Sequence, residues 1–142
     1  MSLLRSVASV IVGVVLTSLI VEPLEFGLVA LLNGAPVTDP DTYLAIRNQP
    51  AFLAAKLVYN GLGGIAGGYA AALVAGRRPV LHAGVAAALQ GALLLFAASD
   101  PMMRLSTPLW AWIGIGVTTP AGLLLGGWLR ARRAVKVSAS QP

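Results

Sequence analysis

The side chains with most capacity for chemistry gather around the first two apolar stretches of the chain. Glu22 and Glu25 stand three residues apart, so they share a face if helical geometry persists through Pro23. Lys56, Tyr59, Asn60 and Gly63 share a face by the same spacing. Counting from the charged ends of their segments places Glu22 and Lys56 at a common depth, close enough for an ion pair. Carboxylates facing a bundle interior bind protons or cationic substrates, and an adjacent lysine holds them ionised. A lysine at a membrane border also snorkels its amine to water, which needs no function at all. Asn60, one turn deeper than Lys56, tips the balance toward a polar pocket.

A second polar group lies mid-segment. Gln90 falls halfway between Pro79 and Ser99, where an unpaired amide is costly. Pro120 removes the hydrogen bond that the Gly116 carbonyl would receive, and Thr118 and Thr119 sit at similar depth, so Gln90 is expected to satisfy that kink as structural glue. The single histidine, His82, is expected to be interfacial rather than a catalytic base.

What must position these residues follows from composition. The chain has 142 residues, 57% hydrophobic and only 11% charged, which points to membrane spans rather than a soluble domain. Cysteine is absent, which excludes disulfides, thiolate metal sites and cysteine nucleophiles, and one histidine cannot build a His-cluster site. No metal or cofactor is expected. Uniform hydrophobicity without period-two alternation selects helices, since a bilayer core of about 30 Å takes roughly 20 helical residues. The expected fold is an all-α bundle of four transmembrane helices, about 3–22, 51–76, 79–99 and 107–129, forming one domain over 1–136. An extracytoplasmic loop over 33–50 holds Pro36, Asp39, Pro40 and Pro50, and a disordered polar tail covers 137–142. Residues 23–33 are open between an interfacial turn after Pro23 and a continued helix. Thr107 and Pro108 read as N-cap and first-turn proline of the last helix.

Basic residues set the orientation. Arg5, Arg77, Arg78, Arg130, Arg132, Arg133 and Lys136 flank one side of the spans, whereas Arg47 and Arg104 flank the other. By the positive-inside rule both termini are cytoplasmic. The net charge of +5 is therefore a topology signal with contact to anionic lipid, not a nucleic-acid footprint. Trp110 and Trp112 at one end of the last helix and Trp128 at the other fit an aromatic belt.

Lipid offers no hydrophobic drive for helix association, so small residues must let backbones approach. Gly63 and Gly67, and in parallel Gly64 and Gly68, carry small-x-x-x-small spacing on the second span. Gly114, Thr118, Gly122 and Gly126 form a ridge on the fourth. Packing within the chain is the main expectation, with homodimerisation through one of these faces as the alternative.

The run Gly67, Gly68, Tyr69, Ala70, Ala71 through Ala75, Gly76, Arg77, Arg78, Pro79 with His82 and Ala83 belongs to a wider pattern. With the early glutamate, the Pro- and Asp-containing loop, Pro108, Leu109, Trp110 and Pro120, the chain resembles small four-helix bacterial membrane proteins of unknown function. That resemblance implies a bacterial cytoplasmic-membrane protein and carries over no substrate or catalytic residue. Size and helix number are similar to those of small multidrug transporters, but Glu22 falls near a helix end, the chain is longer and a long first loop intervenes. The expected role is a non-enzymatic accessory or assembly subunit, or a small-ligand binder, in the lipid bilayer with a membrane-protein partner or a second copy. The alternative is a proton-coupled transporter or channel-like homo-oligomer using Glu22 and Glu25 with Lys56.

Overall fold

A computed structural model of the chain describes residues 3–139 and, within them, the side chains up to Val135. Six helices follow one another: α1 (Leu3–Asn33), α2 (Pro40–Arg47), α3 (Pro50–Ala75), α4 (Pro79–Ser99), α5 (Pro101–Leu105) and α6 (Leu109–Ala139). No strand occurs among the described residues. Helices α1, α3, α4 and α6 are each long and apolar enough to cross a membrane, the pattern of a multi-pass membrane protein. An even number of crossings brings Leu3 and the end of α6 to the end of the bundle that carries Arg77.

Three expectations change. α1 runs unbroken through Pro23 to Asn33, so the stretch after Pro23 is helix and not an interfacial turn. The 33–50 segment is not wholly loop, because α2 lies inside it. Asp39 caps α2, its carboxylate accepting from the Thr42 amide at 2.8 Å, and Pro40 occupies the first turn, where a missing amide proton costs nothing. α6 continues past Leu129 to Ala139, so the expected tail is helical at 137–139, and 140–142 lie outside the described residues.

Helix α3 is the hub, packed along its length on α6 and on α1, while α4 rests mainly on α6 and meets α1 sparsely. α3 and α6 run parallel, each descending toward the arginine-rich end. Where they meet, a methyl on Gly68 would enter the backbone of Leu123, one on Gly126 the backbone of Ile65, and one on Gly64 would lie 2.6 Å from the Thr119 carbonyl. Gly114 faces the Leu57 side chain, Gly122 the Gly61 carbonyl, and Gly63 and Gly67 face α1 at Val21 and Thr17. On α1 the buried residues are Ser9, Gly13, Thr17, Val21, Glu25 and Val29, one every four residues, which is a straight ridge laid on the bundle.

The α3–α4 turn is only three residues long and needs left-handed backbone twice, at Gly76 (φ 71°) and at Arg78 (φ 49°). Arg5 from α1 closes over it, its Nε donating to the Val74 carbonyl at 2.7 Å.

Candidate functional site

Because α1 buries every fourth residue, Glu25 points into the bundle and Glu22, three positions earlier, is exposed. The expected Glu22–Lys56 pair is therefore corrected: Lys56 pairs with Glu25. The Glu25 carboxylate is the centre of a network that draws on three helices. Its Oε1 accepts from Tyr43 Oη at 2.9 Å and from Arg47 Nε at 2.6 Å, both on α2. Its Oε2 accepts from Lys56 Nζ and from Tyr59 Oη at 3.1 Å, both on α3. A carboxylate offers about four lone-pair positions, so every one is filled. The Glu25 side chain is only 5% exposed, that of Lys56 8% and that of Arg47 14%.

The network extends in two directions. Arg47 Nη1 donates to Thr107 Oγ1 at 2.6 Å and Asn48 Nδ2 to the Ser106 carbonyl at 2.5 Å, which fastens the end of α2 to the start of α6. Thr107 thus serves Arg47 with its hydroxyl, and α6 begins at Leu109 without the cap expected from that side chain. Deeper in, Asn60 Nδ2 donates to the Lys56 carbonyl at 2.9 Å while Thr119 Oγ1 donates to Asn60 Oδ1 at 3.3 Å. Tyr43 also packs its ring against Phe26, with centroids 5.4 Å apart. Burial, together with the neighbouring Glu25 carboxylate, holds the Tyr43 phenol above its ordinary value of 10.0, so it remains a hydrogen-bond donor.

Beside this network lies a cavity of about 340 Å³. Glu22, Glu25, Arg47, Lys56 and Asn60 line it together with Gln90, Leu94, Trp112 and Ile115, and Tyr43 and Leu44 of α2 and Met103 of α5 complete the lining. Gln90 does not act as glue at the Pro120 kink. Its Oε1 has no hydrogen-bond partner and the residue lines the cavity instead. Trp112 leaves the aromatic belt for the same reason: it turns inward, and its buried Nε1 has no partner among the described residues. Thr118 Oγ1 is also unpartnered, whereas Thr119 is used by Asn60. Trp110 and Trp128 stay at the surface, the latter under Arg132 at 3.8 Å.

The cavity is thus a recess whose lining is mostly apolar, with two carboxylates and two cations in its wall; the unpartnered Gln90 Oε1 and Trp112 Nε1 are themselves buried and do not open onto it. The sequence reading brought Glu25, Lys56, Tyr59 and Asn60 together and left out Tyr43, Arg47 and Thr107. The signal for Glu25 was the row of three small residues at four-residue spacing, Ser9, Gly13 and Thr17, whose continuation lands on Val21 and Glu25. No group of three or more histidine, aspartate and glutamate residues able to hold a metal ion occurs among the described residues. His82 is buried, and its Nδ1 lies 3.1 Å from the Arg78 carbonyl; as a carbonyl only accepts, Nδ1 carries the proton.

Comparison of the chain with family models, with curated proteins and with solved structures gave no match.

Proposed function

We propose that the chain is a non-enzymatic protein of the bacterial cytoplasmic membrane that holds a small polar ligand in the cavity beside Glu25. The observation that carries this reading is the cavity of about 340 Å³ itself, with Glu22, Arg47, Lys56 and Asn60 in its wall beside the Glu25 network. The charges belong to the walls: Glu25 is saturated by four donors and supports the cavity instead of reaching into it. The same saturation weighs against Glu25 as the proton-exchanging group of a transporter, because protonation must first displace Lys56 or Arg47. The arginine bias orients the Arg77 end and both termini toward the cytoplasm, so the ligand enters from the opposite side, beneath α2. The glycine ridges between α3 and α6 hold the recess in shape, and lipid is the partner of the remaining apolar surface.

The chain contains no cysteine, so single substitutions report cleanly. Gln90→Cys should react with a small hydrophilic thiol reagent added from the α2 side, and Leu95→Cys, 75% exposed on the lipid-facing side of α4, should not. An unreactive Gln90→Cys in folded protein means the cavity does not admit polar molecules, and the reading is lost.

A further inference from the structure

A second recess lies at the opposite end of the bundle, where α1 and α4 meet sparsely. It is an apolar groove of about 470 Å³ running between Val7, Val10 and Ile11 of α1 and Leu81, Val85 and Leu89 of α4. From Leu81 to Leu89 α4 rises about 12 Å at about 1.5 Å per residue, comparable to the roughly 15 Å that one leaflet contributes to a bilayer core. At the inner end the groove shares Ser6, Leu81 and His82 with a recess whose other walls are Arg77 and Arg78.

Both arginines are exposed, and neither guanidinium group has a hydrogen bond, ion pair or ring contact with any described residue. Three of the other arginines at this end are engaged, while Arg130 Nε is buried without a partner among the described residues. Arg5 donates to the Val74 carbonyl, Arg132 covers Trp128, and Arg133 donates to Tyr69 Oη at 3.4 Å. The mouth also collects neutral donors. Ser6 presents a hydroxyl there, and α4 begins at Pro79 with the positive end of its dipole toward the arginines. No acidic side chain lines either recess.

We propose that this continuous site holds one anionic phospholipid, its phosphate on Arg77, Arg78 and Ser6 and one acyl chain in the α1–α4 groove. Guanidinium groups complement a phosphodiester monoanion in sign of charge and in hydrogen-bonding geometry, and basic recesses between spans are where such headgroups bind. An apolar channel of leaflet length opening directly beneath them selects a lipid over a free phosphate. The inference is independent of the cavity beside Glu25, and it holds whichever leaflet Arg77 faces.

The test is native mass spectrometry of the full chain in mild detergent, titrated with phosphatidylglycerol and with phosphatidylcholine of the same acyl chains. One phosphatidylglycerol should be retained preferentially. Arg77→Gln with Arg78→Gln should weaken its retention about tenfold or more, while Arg130→Gln with Arg132→Gln, which removes equal charge, should change it less than about threefold. Val85→Trp, which fills the groove, should weaken retention with both arginines in place. Equal losses from the two arginine pairs, or undiminished binding in folded Val85→Trp, overturn the proposal. Where a variant does not fold, the wild type decides: excess glycerol phosphate should leave the bound lipid in place, and full displacement by it refutes the lipid assignment.

Discussion

Replacing Glu25 with Gln is the sharpest test of how the bundle is organised. The substitution keeps the shape of the side chain and removes the charge that neutralises Lys56 and Arg47. Both cations then remain where side-chain exposure is only 8% and 14%, with an amide group turned toward donors that need acceptors. Leaving one member of a buried ion pair uncompensated costs about 3–5 kcal/mol, against about 0–1 kcal/mol for an exposed pair. Glu25→Gln should therefore lose about 3–5 kcal/mol, and Glu22→Gln, on the exposed side of α1, less than about 0.5 kcal/mol. Adding Lys56→Met to Glu25→Gln removes the stranded ammonium and should recover part of the loss, a coupling of about 0.5–3 kcal/mol. Arg47→Lys keeps the charge but not the planar fork that spans Glu25 and Thr107, so it should be destabilising too. Equilibrium unfolding in mixed micelles, followed by tryptophan fluorescence, measures all four. A Glu25→Gln variant within about 0.5 kcal/mol of the wild type, or one more stable than Glu22→Gln, refutes the argument that Glu25 is the hub.

Two further outcomes follow from the same geometry. Gly68→Ala and Gly126→Ala drive a methyl into the facing backbone and should each cost about 1–3 kcal/mol, whereas Gly27→Ala and Gly91→Ala meet nothing within 4 Å and should be neutral or gain up to about 1 kcal/mol; parity of the two sets in the same unfolding assay contradicts the packing. Hydrogen bonds from the Thr42 hydroxyl and amide hold the Asp39 carboxyl below its ordinary value of 3.8, so the cap on α2 is complete above that value and is lost only as the pH falls through the lowered one. The protection of the Thr42 amide, relative to its intrinsic exchange rate, should accordingly persist down through the ordinary carboxylate value and be lost only below it, with Asp39→Ala unprotected throughout; loss of protection near neutral pH in the wild type is the contrary result.

The spans were legible because charge is expelled from lipid-buried helix: the gaps between Arg5, Lys56, Arg77 and Asp100 nearly outline them. The choice between Glu22 and Glu25 was not legible from depth, since three residues differ by only about 4.5 Å along a helix. It is set by rotation, and rotation is encoded in the small residues at Ser9, Gly13 and Thr17 that precede Glu25 on one row. Helix α2 was hidden for a different reason. Its sequence is polar and rich in turn formers, and at eight residues it is too short to be stable alone, so only docking makes it a helix. Asp39 followed by Pro40 is the local trace of its start. Trp112 and Gln90 misled because a belt tryptophan and a kink-bridging amide are the cheapest placements for such residues in lipid. Both are found at a cavity whose far wall, on α1 and α2, no local pattern announces.

A helix that exists only when docked gives the ion cluster a role beyond holding α1 to α3. Of the four donors on Glu25, two come from α2, and Arg47 and Asn48 continue across to Thr107 and Ser106. Undocking of α2 would break these bonds together and uncover the cavity that Tyr43, Leu44 and Arg47 line. Lys56 and Tyr59 keep Glu25 compensated while this happens, so opening the cover does not strand a carboxylate in the bundle. If the proposed ligand enters beneath α2, this division of the donors, two on α2 and two on α3, would allow access without stranding Glu25. It also links the two equilibria: a ligand that contacts α2 from within the cavity stabilises the docked helix, and by reciprocity any change that loosens α2 lowers ligand affinity by the same factor.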